Sequence, residues 1–181
     1  MKKVINTLLI VAIIAISAGV ELYSQGTTRA KKYHKAITTD PIDLLNSDRF
    51  NVKYEQNVGK DNSFTADLIY NYAYNDVVGI AIGGGYRWYF HNLSPELITS
   101  GIKGLAVGPF AQLNYLRYEV TKDNFNDDFG LDVGVEATYK FVVFDWLAIE
   151  PALRLGWGLS RAGYYTTGFL LRPGVSIGYA W

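Results

Sequence analysis

Several residue types are scarce in this 181-residue sequence: it has no cysteine, two histidines and one methionine. Without cysteine the chain has no disulfides, no thiol catalysis, no cysteine-ligated zinc and no lipoprotein-type anchor. The chain also has no excess of positive or negative charge, because 17 Lys and Arg residues balance 17 Asp and Glu residues. A nucleic-acid-binding role, which needs a basic surface, is therefore not indicated.

Long apolar runs are scarce as well, and the one near the amino terminus is short. It covers residues 8–18 (LLIVAIIAISA) and follows Lys2 and Lys3. A spanning helix needs about 20 apolar residues, whereas a short positive end followed by a run of this length is typical of a secretory signal peptide. We expect residues 1–24 to be a signal peptide cleaved after Ser24, or earlier, near Ala18 or Gly19. An uncleaved membrane anchor is the alternative.

The sequence is rich in tyrosine and glycine, and its last fourteen residues, 168–181, alternate strictly between two faces. Period-two alternation predicts a β-strand. This strand is longer than the five or six residues usual in soluble sheets, and it exceeds the roughly 9–11 residues that cross a bilayer as tilted strand. One face is apolar: Phe169, Leu171, Pro173, Val175, Ile177, Tyr179 and Trp181. The other face is small or polar: Leu170, Arg172, Gly174, Ser176, Gly178 and Ala180.

The same alternation recurs along the chain and predicts six further strands. They cover residues 49–58, 64–74, 78–90, 104–120, 128–141 and 147–160. Residues 36–45 form a weaker eighth candidate, because Pro41 interrupts any ladder there. The alternative for this segment is a helical turn over Pro41–Leu45 that is capped by Asp40. Bacterial single-chain barrels have even strand numbers. The predicted fold is all-β, an eight-stranded antiparallel up-and-down transmembrane β-barrel over residues 36–181.

The strand order predicts which loops lie at which end of the barrel. With the carboxyl end in the periplasm, loops 75–77, 121–127 and 161–167 and a link near 46–48 face outside. Connections 59–63, 91–103 and 142–146 face the periplasm, with a short helix starting at Ser94 and Pro95. Residues 25–35 are predicted to be a basic periplasmic tail, for which contact with phospholipid head groups is the alternative.

Three features favour a membrane barrel over a soluble one, and the export signal described above is one of them. The polar faces are rich in Gly, Ala and Ser, which a narrow eight-stranded lumen requires and a solvated outer face does not. Aromatic residues gather at strand ends, as they do where amphipathic rings lie at head-group level. A secreted soluble barrel that carries a small apolar ligand is the alternative. The predicted membrane-interface aromatics are Tyr74, Trp88, Phe90, Tyr139, Phe141, Trp146, Trp157, Tyr179 and Trp181.

Charged residues on the polar faces nearly balance, which predicts a network of ion pairs that plugs the lumen. An ion path is the alternative interpretation. We expect Lys53 to lie opposite Asp67, and a turn centred near Phe144 to set Arg154 diagonal to both Asp132 and Glu136. The predicted lumen network comprises Lys53, Glu55, Asp67, Arg87, Asp132, Glu136, Lys140, Glu150, Arg154 and Arg172.

The carboxyl terminus carries a resemblance to a known class of proteins. Trp181, with Tyr179 two residues before it, resembles the carboxyl-terminal signal of outer-membrane barrels. In size and pattern residues 36–181 resemble small eight-stranded barrels of the OmpX/OmpA-transmembrane type. The segments FNVKYEQNV, GLAVGPFAQLNY and LLRPGVSIGYAW are similar to an uncharacterised barrel family common in Bacteroidetes. The resemblance implies the outer membrane of a Gram-negative bacterium and recognition of the last strand by the barrel-assembly machinery. It implies no activity.

Catalytic signals are weak. His34 and His91 are the available neutral-pH bases, and neither has a serine and a carboxylate at evident strand spacing. We therefore predict no enzymatic activity, no cofactor and no metal, with a lipid-modifying enzyme as the alternative. The acidic and amide residues of loop 121–127 and Asp128 could bind a divalent cation, but a solvated turn explains them better. The predicted function is a structural, scaffolding or envelope-complex role, with outer-membrane lipids, lipopolysaccharide and other envelope proteins as partners.

Overall fold

Eight antiparallel strands close into a barrel in the order β1 to β8. The structure is a computed structural model that describes residues 33–46, 49–71, 77–90, 101–121, 124–160 and 167–181. The elements are β1 (Lys35–Thr39), α1 (Pro41–Asn46), β2 (Arg49–Asn57), β3 (Asn62–Asn71), β4 (Val77–Tyr89), β5 (Gly104–Thr121), β6 (Asn124–Val143), β7 (Leu147–Ser160) and β8 (Gly168–Ala180). Each strand pairs with its sequence neighbours, and β1 pairs with β8. The predicted eight-stranded up-and-down barrel is confirmed.

The alternation places apolar side chains outside and polar ones inside. On β6, Val133 and Val135 are exposed, whereas Asp132 and Glu136 are buried. The other strands follow the same rule, because successive strand side chains point to opposite faces. Exposed residues of the outer face include Leu68, Ile80, Ile82, Leu113, Phe129, Leu153, Leu155, Phe169 and Leu171. The apolar side chains of the sheet therefore point away from the lumen.

The first strand is shorter than predicted. β1 ends at Thr39, and a six-residue helix follows from Pro41. The expectation of a strand over 36–45 is wrong beyond Thr39; the helical alternative is right, because the Asp40 carboxylate accepts hydrogen bonds from the amides of Ile42 and Asp43 at 2.9 and 3.1 Å. Within the described residues no helix is long and apolar enough to cross a bilayer.

Three prolines in the strands coincide with interruptions of the hydrogen-bond ladders. Pro109 lies where the pairing of β4 with β5 skips from Gly85 to Trp88. Pro151 lies where the pairing of β6 with β7 skips from Thr138 to Phe141. Proline has no N–H to donate, so it occurs at edges and breaks of a ladder. Pro173 of β8 obeys the same rule at an open edge, which is described with the site below.

The hairpin of β5 and β6 is longer than predicted. The two strands have 18 and 20 residues, and Thr121 pairs with Asn124. The expected loop 121–127 is therefore mostly strand, with its polar residues on an extension of the hairpin. We call this end of the barrel the hairpin end. The opposite end, which holds the tight turns and Trp181, is the turn end.

The turn between β6 and β7 fixes a register that differs from the predicted one. Phe144 and Asp145 have φ values of 53° and 62°, and the Trp146 amide donates to the Val143 carbonyl at 3.2 Å. The turn is centred on Asp145, one residue later than expected. Arg154 consequently lies directly opposite Glu136 and not diagonal to it. The predicted pairing of Lys53 with Asp67 is confirmed.

An apolar layer lies inside the barrel at the turn end. Tyr33 lies across this end, where its carbonyl accepts a hydrogen bond from the Ile102 amide at 3.1 Å. Both side chains are buried with small inward residues of several strands. The layer consists of Tyr33, Ala36, Tyr89, Ile102, Ala106, Val142, Ala148 and Ala180. The core of this barrel is therefore split into an apolar layer at the turn end and a charged layer above it.

Candidate functional site: the charged lumen and the wall beside α1

Arg87 is the centre of the charged layer. Its guanidinium contacts three carboxylates from three different strands: Glu55 at 2.6 Å, Glu136 at 3.0 Å and Glu150 at 2.9 Å. Arg87 is 2% exposed and Glu150 is fully buried. Removing charges from water is costly, and the cost is offset only by close pairing with complete hydrogen bonding. The fork of the guanidinium supplies that geometry.

Two lysines complete a balanced cluster. Lys140 donates to Glu55 and lies 2.9 Å from Glu150. Lys53 lies 3.1 Å from Glu150 and 3.6 Å from Glu136. Three cations thus neutralise three carboxylates, which allows all six to be buried as ions.

Two hydroxyl groups bind the same carboxylate. Ser63 donates to Glu55, and the Tyr89 hydroxyl donates to it at 2.6 Å. These residues were not among the predicted network, although both occupy inward positions of their strands. Strand alternation places both side chains on the inward face, and both carry a hydroxyl group; these two features together are the signal that could have identified them.

Two further arginines form ion pairs nearer the hairpin end. Arg154 contacts Glu136 and Asp67, the latter at 2.7 Å. Arg172 contacts Asp132 at 3.2 Å. All ten predicted lumen charges therefore take part in ion pairs, eight of them in one connected cluster. Their pairing differs in detail from the prediction, because Asp132 binds Arg172 and not Arg154.

A cavity of about 270 Å³ lies between this cluster and α1. Its walls include inward residues such as Arg154 and Ser176, and also Leu171 and Pro173 from the outward side of β8. Because residues from both the inward and the outward side of β8 line the cavity, the cavity passes beside this strand and through the barrel wall. The remaining charged residues on its lining are Asp40, Asp43, Arg49, Lys53, Asp67, Glu136 and Arg172.

The wall is incomplete at this point because β1 is short. The β1–β8 ladder ends with Thr39 opposite Ile177, and no described strand pairs with 168–174 on that side. The Asp40 carboxylate accepts from the Val175 amide at 3.1 Å in place of a strand carbonyl. The helix α1 packs beside β2 and β8. Val175, predicted to face outward, is 4% exposed at this level.

Groups at the turn end show the effect of burial on protonation. Burial raises the pKa of the Tyr33 hydroxyl, and so does the Asp145 carboxylate, to which Tyr33 donates at 3.3 Å. Burial lowers the pKa of Lys103, with Asp145 acting in the opposite direction. Burial at the turn end is thus the main cause of both shifts.

The predicted interface aromatics lie at the two ends of the barrel. Trp157 pairs across strands with Phe169 at the hairpin end, and its side chain is 52% exposed. The turn-end set comprises Trp88, Phe90, Tyr139, Phe141, Trp146, Tyr179 and Trp181. Within it the ring centroids of Tyr139 and Phe141 are 4.5 Å apart, and those of Tyr179 and Trp181 are 5.6 Å apart. Tyr74 lies outside the described residues.

The weaker candidates do not form a site in the described structure. His34 is exposed beside the carboxyl terminus, where its amide donates to the Trp181 carbonyl at 2.8 Å. His91 lies outside the described residues. Asp127 and Asp128 are on opposite faces of β6, where they accept from Tyr115 and Ser160 respectively. Alternation therefore separates the two carboxylates that a cation site there would need.

Sequence reasoning also missed the contacts of α1. Asp40 was considered as a cap, but its bond to Val175 and the placing of Arg49 and Asp43 on the cavity were not expected. These contacts depend on β8 meeting the start of the barrel at the seam, with Val175 lying 135 residues along the chain from Asp40. A local pattern carries no signal for that.

Comparisons with known proteins give the fold. No protein-family model matches the sequence, and no curated protein is similar to it at a significant level. The structure is similar to the crystal structure of the N-terminal β-barrel domain of Pseudomonas aeruginosa OprF. The TM-score is 0.54 at 11% sequence identity, and the match covers 84% of this chain and all of that domain.

Proposed function

We propose that this protein is an integral outer-membrane β-barrel with a plugged lumen, and that it has a structural or scaffolding role in the cell envelope. The observation that carries the proposal is the orientation of the sheet. Large apolar side chains cover the outside, and matched charges fill the inside. Such a surface is an aggregation hazard in water but suits acyl chains.

Buried groups inside the barrel support a structural role over transport. They form the apolar layer at the turn end and the six-ion cluster above it. Barrels of eight strands have interiors that side chains can fill. The likeness to the OprF barrel domain supports the fold on which the proposal rests.

Lipid contact and assembly follow from the same surface. We propose that outer-membrane lipids, including lipopolysaccharide, contact the exposed aliphatic belt, and that aromatic rings at both ends lie at head-group level. The last strand, with Tyr179 and Trp181, would be the part recognised by the assembly machinery. A barrel without an evident site of its own would act through other envelope proteins. Catalysis, cofactors and metals are not part of the proposal.

Membrane placement can be tested with a matched pair of variants. Val135 is exposed in the middle of β6, whereas Asn126 is exposed on the hairpin extension. An arginine at the bilayer midplane costs about 2–4 kcal/mol, and near the interface about 0–1 kcal/mol. We expect Val135→Arg to lower the unfolding free energy in lipid vesicles by that larger amount and Asn126→Arg to leave it nearly unchanged. Recovery of the wild type in the soluble fraction without detergent would reject the proposal.

The plug and the scaffolding role need separate measurements. In planar bilayers we expect the purified barrel to give no stable conductance steps; regular channel openings would show an open path. Co-purification from native membranes in mild detergent should recover a defined envelope partner. Recovery as a lone monomer would contradict scaffolding while leaving the membrane placement intact.

A further inference from the structure

The cavity beside α1 opens through the barrel wall between β2 and β8. On the β8 side, Leu171 is 57% exposed to the outside, while its neighbour Arg172 points inward, and both line the cavity. On the β2 side, Arg49 and Val52 line it. If the barrel spans a bilayer, as proposed above, this opening connects the lumen sideways with the membrane.

The open edge of β8 has few donors. Odd-numbered residues of β8 direct their backbone groups toward β1, as the bonds of Val175 to Asp40 and of Trp181 to Lys35 show. Pro173 belongs to this odd series and has no N–H. Above Val175 the edge therefore presents the amides of Leu171 and Phe169 alone. An incoming peptide strand would find too few hydrogen-bond donors to form a ladder. Lipid tails cannot form hydrogen bonds with backbone groups at all. A small polar group fits this edge better than a strand.

Arginines flank the opening on both sides. Among the cations on the cavity lining, Arg172 and Arg49 have the most exposed side chains, at 30% and 21%. Arg154 and Lys53 are held in the cluster below and are less exposed. Guanidinium groups bind phosphate through two parallel hydrogen bonds.

The acidic groups on the lining are largely engaged. Both Asp40 oxygens accept backbone amides, and Asp67 and Glu136 are buried against Arg154. One buried oxygen of Asp67, Oδ1, has no hydrogen-bond partner among the described residues. Asp43 is the most loosely held: it is 32% exposed and pairs with Arg49 only at 3.9 Å. A phosphate could displace so loose a pair.

We infer that this opening binds the phosphate head group of a membrane amphiphile, with Arg49 and Arg172 as its ligands and the acyl chains left in the bilayer. The cavity of about 270 Å³ lies below the roughly 300–1,000 Å³ that holds a whole drug-sized ligand, so it suits a head group without its tails. The inference rests on the proposed membrane placement. Loss of phosphate binding in a barrel that remains in the outer membrane would reject the inference alone.

The test measures lipid retained by purified barrel in native mass spectrometry. The probes are phosphatidylglycerol, an uncharged glycosyl diacylglycerol with the same chains, and soluble glycerol phosphate. We expect the wild type to retain one phosphatidylglycerol and to prefer it at least about tenfold over the uncharged lipid. Equal retention of the two lipids would overturn phosphate recognition. Binding of soluble glycerol phosphate as tight as that of the lipid would overturn the membrane source.

Variants separate the site from general effects on folding. Arg49→Gln should reduce phosphatidylglycerol retention about tenfold, whereas Arg117→Gln, on the exposed hairpin extension, should not change it. Asp43→Asn should increase retention a few-fold, because it frees Arg49 from its loose partner. A misfolded variant could not produce that gain. Equal retention by Arg49→Gln, Asp43→Asn and Arg117→Gln would overturn the assignment of Arg49.

Discussion

At the scale of single residues, the turn after β6 places a bulky side chain where its backbone does not favour one. Phe144 and Asp145 both have positive φ, as the two central residues of a type I′ turn do, within a three-residue connection that sets Val143 opposite Leu147. Asparagine tolerates this region, whereas a left-handed bulky residue costs about 1–2 kcal/mol. Because Phe144 is 74% exposed, little packing is lost with its ring.

We therefore expect Phe144→Asn to raise the unfolding free energy by about 1 kcal/mol, measured by urea titration in vesicles. Asp145→Gly should gain less, because aspartate already tolerates positive φ and the change removes the carboxylate that accepts from Tyr33. A fall in stability on Phe144→Asn would mean that the ring itself anchors the turn end in lipid.

Close strand approach gives a second prediction at this scale. A Cβ added at Gly108 would lie 1.7 Å from the carbonyl oxygen of Tyr86, so β4 and β5 would have to separate. We expect Gly108→Ala to cost at least about 1–3 kcal/mol. Gly59→Ala is the control, because its nearest neighbour is 3.4 Å away, and it should stay within about 0.5 kcal/mol. Similar unfolding midpoints for the two variants would contradict the model of the β4–β5 seam.

At the scale of elements, α1 is held by one carboxylate. Asp40 caps α1 through Ile42 and Asp43 and also binds the Val175 amide of β8. Loss of a cap costs about 0.5–2 kcal/mol, and an unsatisfied buried amide about 1–3 kcal/mol. Asp40→Ala should therefore destabilise the barrel by about 2 kcal/mol or more, in the same vesicle titration.

Two related substitutions serve as controls for this effect. Asp40→Asn keeps one acceptor oxygen and should lose less. Asp43→Ala removes only a half-exposed ion pair at 3.9 Å and should change stability by less than about 1 kcal/mol. A loss as large for Asp43→Ala as for Asp40→Ala would show that the helix is held by Asp43 instead.

The elements also show what the sequence can and cannot predict. Strict alternation identified which side of each strand is buried. A period of two divides the side chains of a strand between two faces, and the charged residues mark the face that points into the lumen. Composition predicts a loop over residues 121–127, yet Asn126 and Asp127 lie in strand pairs, since this extension of the hairpin has polar residues on both faces. For the α1 segment, the sequence limits the conformation to a strand or a helix but does not choose between the two. Its conformation depends on β8 offering an amide at Val175, which no local pattern reveals.

At the scale of the whole molecule, the charge network was predictable as a set but only in part as pairs: Arg154 contacts Glu136 as expected, whereas Asp132 pairs with Arg172. Inward parity placed ten charges in one lumen, and all ten are paired. Their partners depend on the tilt and closure of the barrel, which bring β2, β4, β6 and β7 together at one level. Asp67 thus lies opposite Lys53 in the ladder but bonds Arg154 across the lumen.

The lengths of the strands also indicate how the barrel is oriented in the membrane. The 20 residues of β6 at about 3.3 Å each span about 66 Å, or about 50 Å along the barrel axis at a tilt near 40°, against an apolar belt of about 25 Å. With the barrel in the outer membrane as proposed, the β5–β6 hairpin would project well beyond the bilayer, and we expect it to face outside. Because the chain has no cysteine, Asn126→Cys gives a clean label site on that projection. An impermeant maleimide should label Asn126→Cys on intact cells, while Phe144→Cys should react only after the outer membrane is permeabilised. The reverse pattern would mean that the turn end faces outside, and the carboxyl terminus with it.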